Sequence, residues 1–190
     1  MSCFFLHARV TTPRKPGAHL SRQSGKLVSM NASMSLPVWS DDLLLDDERT
    51  DATHREFMQL LRSSFMATES NRLQRFQKLL EHTVEHFAQE DRWMIATGME
   101  DDNCHSKDHT MILETMREVE KRALAGDTSF ITVMNQALAQ WFPEHAKTKD
   151  AGLTQYLKEV GFSTTDEVLA NPETAQLNAH GGCGTQKACT

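Results

Sequence analysis

No stretch of this 190-residue sequence approaches the run of about eighteen apolar residues that a membrane-spanning helix needs, so no membrane association is expected. Glycine and proline are scarce, at 9 and 5 residues, and no run competes as a β-strand by alternating apolar with polar side chains. That excludes a loop-rich or all-β fold. The four cysteines, Cys3, Cys104, Cys183 and Cys189, are too few for a disulfide scaffold at this length, and three lie in the terminal stretches. The chain therefore reads as a cytoplasmic protein of a reducing compartment. Acidic residues are missing altogether from residues 1–37, which carry Arg9, Arg14, Lys15, Arg22 and Lys26. Setting those five aside from the chain's 20 Lys and Arg leaves 15 bases against 26 acids, a net charge of −11 over residues 38–190. So acidic a body excludes a nucleic-acid partner, because phosphate contacts need a basic surface.

What remains is the composition of a soluble globular domain, 39% hydrophobic and 24% charged, flanked by two polar ends. Residues 1–37 read as a disordered basic extension, with Met30 or Met34 as an alternative start. An organellar transit peptide is the lesser reading, since Pro13 and Pro16 interrupt the amphipathic helix such a segment uses. Residues 162–190 read as a polar C-terminal tail. In it, Thr165 with Asp166 and Glu167 is expected to open a short helix over Val168 and Leu169, and His180, Cys183 and Cys189 form a cluster on a glycine-rich stretch. Their spacing matches no specific zinc pattern, and a bland tail is the preferred reading.

Between the ends, residues 38–161, the dominant period is helical. Four segments carry apolar residues three and four apart: Phe57, Met58, Leu61 and Phe65; Leu73, Phe76, Leu80, Val84 and Phe87; Ile112, Met116 and Val119; and Ile131, Met134, Leu138 and Trp141 continuing to Leu153, Leu157 and Val160. Gly126 and Gly161 supply stops, and Asp127-Thr128-Ser129 is a cap cluster for the fourth segment. Short links between four amphipathic helices favour antiparallel neighbours. The expected fold is all-α, an up-down-up-down four-helix bundle.

The apolar stripes carry residues that do not belong to an ordinary core: a lone His54, then His86-x-x-x-Glu90, His105-x-x-x-His109 and His145-x-x-x-x-Asp150. Residues four apart share a helix face. The step of five from His145 to Asp150 turns about 140° further round an α-helix, so Asp150 is expected to reach back toward the seam. Any one of these histidines is more readily a hydrogen-bonded core residue than a ligand. Together they change the balance, because burying five imidazoles and two carboxylates without partners costs several kcal/mol for each charged group. A pair of cations removes that cost. Imidazole with carboxylate and no thiolate suits iron, manganese, copper or zinc ahead of calcium or magnesium. Two six-coordinate ions sharing the carboxylates and an oxygen bridge leave one position open, a place for a small diatomic ligand.

In order and residue type these seven positions resemble the hemerythrin family, over about Trp39 to Val160. The flanking residues agree: Trp39 before the first helix, Asp51-Ala-Thr-His54-Arg-Glu-Phe57, His86-Phe87 followed by Met94, and Trp141-Phe142 ahead of His145. The long stretch between His109 and His145 is more similar to bacterial members than to invertebrate oxygen carriers. The resemblance implies a non-haem diiron centre, oxo- or hydroxo-bridged, in the bundle core. By that analogy His105, His109 and His145 hold one iron, His54 and His86 the other, and Glu90 and Asp150 bridge them. O2 or another small diatomic ligand is the implied partner, bound reversibly for storage, delivery or sensing, with Trp93, Met94 and Ile112 keeping the pocket dry. The analogy also leaves room for an unidentified protein that receives O2 or a signal.

Three readings compete with reversible O2 binding. A diiron enzyme (peroxidase, ferroxidase or nitric oxide reductase) can use the same centre. A metal-free helical adaptor needs none of the seven residues. A ferritin-like carboxylate site requires paired Glu-x-x-His motifs, and the chain offers only Asp51-x-x-His54 and Asp102-x-x-His105. Pro143 is expected to kink the last helix just before His145. His82, four residues before His86, is read as a boundary residue, and Cys104 as a neutral boundary thiol.

Overall fold

The computed structural model describes residues 36–100 and 102–170. A short 3-10 turn, Asp41–Leu43, leads into α1 (Glu48–Phe65), α2 (Arg72–Ala96), α3 (Cys104–Leu124) and α4 (Ser129–His145). The last helix runs on through a π turn, Ala146–Asp150, into α5 (Ala151–Val160). Each helix packs on the next and α4 closes against α1, which makes a four-helix bundle. Among the described residues no helix is long and apolar enough to cross a membrane. The extension read over residues 1–37, apart from its last two positions, and the His180/Cys183/Cys189 cluster lie outside the described residues.

Local chemistry sets the helix ends. Asp47 caps α1 by accepting from the Thr50 N–H at 2.9 Å and the Thr50 hydroxyl at 2.8 Å. Asn103 caps α3, its Oδ1 accepting from the N–H groups of His105 and Ser106 at 2.8 and 3.0 Å. That cap starts the helix one residue ahead of the first histidine of the third motif. At α4 the capping acceptor is the Asp127 carboxylate, 3.1 Å from the Ser129 N–H, while Thr128 holds the cap position without a capping bond from its own side chain. Gly161 ends α5 in the left-handed region, φ 73°.

Two apolar clusters fill the bundle. The larger includes Phe57, Leu61, Phe76, Leu79, Phe87, Met116, Ile131, Leu138 and Phe142, all essentially inaccessible to solvent. The smaller collects Trp93, Met94, Met99, Leu153, Tyr156, Leu157, Val160 and Phe162. Along α2 the larger ends at Phe87 and the smaller begins at Trp93. Along the α4–α5 rod the corresponding residues are Ala146 and Leu153. Glu90 and Asp150 fall in the two gaps, so a polar layer sits between two dry ones.

Two local expectations are corrected. Val168 and Leu169 do not form a helix: they pair antiparallel with Phe162 and Ser163. Phe162 is buried in the smaller cluster, and the Thr164 hydroxyl donates to Asp47 at 2.8 Å, so burial and a cap contact outweigh the helix-start signal at Thr165. Pro143 stays inside α4, and the departure from α geometry falls three residues later. In the π turn the Ala151 N–H bonds to the Ala146 carbonyl, five residues back. The wider turn brings residues five apart closer to one face than an α-helix does. Asp150 therefore has no need to reach back from the far side of an α-helix.

Candidate metal centre

The seven side chains singled out in the sequence come together in that polar layer, contributed by all four bundle helices and the π turn. Each is nearly or wholly buried, with His54 and His105 at 0% exposure and Asp150 at 1%. They form two groups able to hold a metal ion: His105, His109 and His145 with Glu90 and Asp150, and His54 and His86 with the same two carboxylates.

The carboxylates divide their oxygens between the groups. Glu90 Oε2 lies 3.3 Å from His105 Nε2 and 3.2 Å from His109 Nε2, while its Oε1 lies 3.1 Å from His86 Nε2 and 3.9 Å from His54 Nε2. Asp150 Oδ1 lies 3.0 Å from His105 Nε2 and 3.1 Å from His145 Nε2, with Oδ2 3.1 Å from His54 Nε2. Every imidazole presents the same atom, Nε2, to the layer.

Several of these close approaches are not hydrogen bonds. Glu90 Oε2, both Asp150 oxygens, His54 Nε2 and His109 Nε2 find no hydrogen-bond partner in the protein despite neighbours at little more than 3 Å. They aim at points between one another rather than along donor–acceptor lines. His105 Nε2 and His145 Nε2 face each other at 3.2 Å, and two imidazole lone pairs repel there unless a proton or cation lies between them. Buried polar atoms left in this state are expensive, and cations at the points of convergence satisfy them together. The donor set thus fits a metal pair.

Charge within the layer acts the same way. Burial alone pushes both carboxylates up, yet the surrounding imidazoles hold each well below its usual range, led by His86 at Glu90 and by His145 at Asp150. Burial pulls His54 down, but the carboxylates of Asp150 and Glu90 beside it override that and raise the imidazole to about 9. At His145 burial prevails and the group is lowered.

Aromatic rings fix the imidazoles. Phe87 stacks on His109 with centroids 4.0 Å apart and planes 8° apart, and Trp141 stacks on His145 at 4.2 Å. Phe142 meets His54 edge-on at 5.2 Å and stacks on Phe57 at 4.4 Å. Phe87 and Trp141 were visible in the sequence as stripe residues, but their pairing with particular histidines depends on helix rotation. Two outer carboxylates carried no signal at all. Asp91 Oδ1 is 2.9 Å from His109 Nδ1, and Asp108 Oδ2 is 3.8 Å from His145 Nδ1.

Of the pocket residues implied by the resemblance, Trp93 and Met94 belong to the smaller apolar cluster and Ile112 to the larger. His82 stands apart from both metal-capable groups, with Nδ1 3.6 Å from the exposed Glu56 carboxylate. Cys104 accepts from Lys149 Nζ at 3.1 Å at the edge of the layer.

The family profile of the Hemerythrin HHE cation binding domain matches residues 46–157. A bacteriohemerythrin of Ralstonia nicotianae is 33% identical over 132 residues, covering 70% of this chain and 96% of the relative. Bacteriohemerythrins of Pseudomonas aeruginosa and Stenotrophomonas maltophilia are 24% and 25% identical, covering 74% and 66% of this chain and 92% and 84% of theirs. No solved structure matches at the significance these relatives reach. With the profile spanning most of the helical body and the first relative matched almost end to end, the chain belongs to the hemerythrin family.

Proposed function

We propose that this chain holds two non-haem iron ions and binds O2 reversibly at the one that keeps an open position. The observation that carries the reading is the division of oxygens at Glu90 and Asp150: each carboxylate offers one oxygen to the three-histidine group and one to the two-histidine group. His105, His109 and His145 would hold one ion and His54 and His86 the other, with Glu90 and Asp150 shared between them. The shorter histidine complement would leave the open position on the His54/His86 side. Iron supplies the reversible electron transfer that lets a protein of ordinary side chains bind dioxygen at all.

The chain's own residues do the remainder. Phe57 and Phe142 wall the His54 side with apolar rings, which keeps water from competing for the position. The fixed rotamers of His109 and His145, each under a stacked ring, hold the opposite ion in place. Met94 and Trp93 close the layer from the smaller cluster. A cytoplasmic setting suits the sparse cysteines, and storage, delivery or sensing of O2 is the role that follows.

The test is to mix the reduced, iron-loaded protein with O2 and follow the visible spectrum. A spectrum that appears with O2 and reverses on its removal supports binding. Immediate, irreversible oxidation with turnover of a peroxide, ferrous ion or nitric oxide supports the enzymatic alternative. A protein that takes up no iron, and whose stability is unchanged in His86→Ala, is a helical adaptor.

A further inference from the structure

The imidazoles differ behind the layer. The Nδ1 atoms of His54, His86 and His145 find no hydrogen-bond partner in the protein. His109 is different: its Nδ1 lies 2.9 Å from Asp91 Oδ1, a hydrogen bond between α3 and α2. Asp91 is 40% exposed, whereas His109 is 1% exposed. The same Asp91 forms a wall of a surface cavity of about 200 Å³ between the end of α2 and the start of α3, together with Met94, Glu100, Asn103, Ser106 and Thr110. One hydrogen bond therefore separates the buried His109 imidazole from an open surface recess.

Geometry fixes what that bond does. A carboxylate only accepts, so His109 Nδ1 carries the proton and Nε2 keeps its lone pair for the layer. The bond sets the tautomer and opposes rotation of the ring, which Phe87 already clamps on one face. It also lends negative charge to the imidazole and makes Nε2 a stronger donor. Asp108, the matching carboxylate behind His145, stands at 3.8 Å, too far for a hydrogen bond.

We infer that Asp91 is a positioning residue for the metal centre: it orients His109, strengthens it as a ligand, and makes the three-histidine side the one whose potential responds to the surface recess. This rests on the metal-pair reading above. It adds that the two sides are held with unequal firmness, and that the firmer side is the one coupled to solvent.

The experiment compares Asp91→Ala, Asp91→Asn and wild type as full-length chains. In the metal-free proteins, nitrogen-15 NMR of the His109 ring reads the tautomer directly. In the iron-loaded proteins, iron retention against a chelator and the midpoint potential read ligand strength. Asp91→Ala is expected to mix the His109 tautomers, weaken iron retention by roughly 10- to 100-fold and raise the potential, because a negative charge behind a ligand favours the oxidised ion. Asp91→Asn keeps an acceptor oxygen without the charge, so it should preserve the tautomer and fall between the other two in retention. An Asp91→Ala protein with an unchanged tautomer, retention and potential overturns the inference. Failure of wild type to bind iron strikes the metal reading instead, and the NMR result still decides whether Asp91 orients His109.

Discussion

The two halves of the polar layer present the same atoms inward and different surroundings outward. On the His54/His86 side the rings back onto Phe57 and Phe142, and the Nδ1 atoms of both histidines have no hydrogen-bond partner in the protein. On the other side His109 is bonded to Asp91, His145 faces Asp108, and Cys104 and Lys149 meet at the rim. One side is dry and loosely tied, the other anchored and electrically connected to the surface. Under the proposed O2-binding role, that asymmetry would place the open position where water is excluded and hold the opposite ion firmly.

Removing a bridge abolishes the comparison by destroying both halves. Glu90→Ala or Asp150→Ala should leave almost no iron and lower the stability of the loaded protein by about 3–5 kcal/mol, since either loss strands buried imidazoles that shared its charge. Iron analysis and thermal unfolding check both. Removing a histidine should affect one half first. His86→Ala is expected to retain roughly half of the iron, read as iron per chain after desalting, with the surviving ion on the three-histidine side. Should His86→Ala lose both ions, the halves are not independent and the asymmetry claimed above disappears.

Smaller changes sharpen the contrast. Phe142→Leu loosens the wall of the dry side at a cost of about 1 kcal/mol, because the replacement keeps most of the apolar volume. It should keep its iron yet shorten the life of the oxygenated form, measured as the rate at which the visible spectrum decays in air. Asp108→Asn is expected to do least, within about 0.5 kcal/mol in stability and with unaltered iron retention, since its carboxylate stands beyond hydrogen-bond reach of His145. Set beside Asp91→Ala, it separates a directed bond from mere charge nearby.

Much of this arrangement was legible in the residue order. Helix phasing put His54, His86, Glu90, His105 and His109 on core-facing stripes, because residues three and four apart share a face whatever the helix packs against. Gly126 and Gly161 marked their stops for the same local reason. The π turn was not legible: the α repeat sends Asp150 well round the helix from His145, and only the wider turn at Ala146–Asp150 brings them into line. Asp91 was invisible because its partner lies 18 residues away on another helix, where rotation about both axes decides the contact. The Phe162–Leu169 pairing was hidden by a helix-start pattern at Thr165 that tertiary packing overrode. Two of these three, the Asp91 contact and the strand pairing, are relations between elements, while the π turn is a local departure that the α repeat does not announce.

The central claim is that Glu90 and Asp150 join two ions into one centre, and Mössbauer and EPR spectra of the oxidised, iron-57-loaded chain test it most directly. A carboxylate-bridged ferric pair gives two irons per chain, a magnetically coupled Mössbauer spectrum and no EPR signal from isolated ferric ions. One iron per chain with the EPR signal of an isolated high-spin ferric ion would contradict the account.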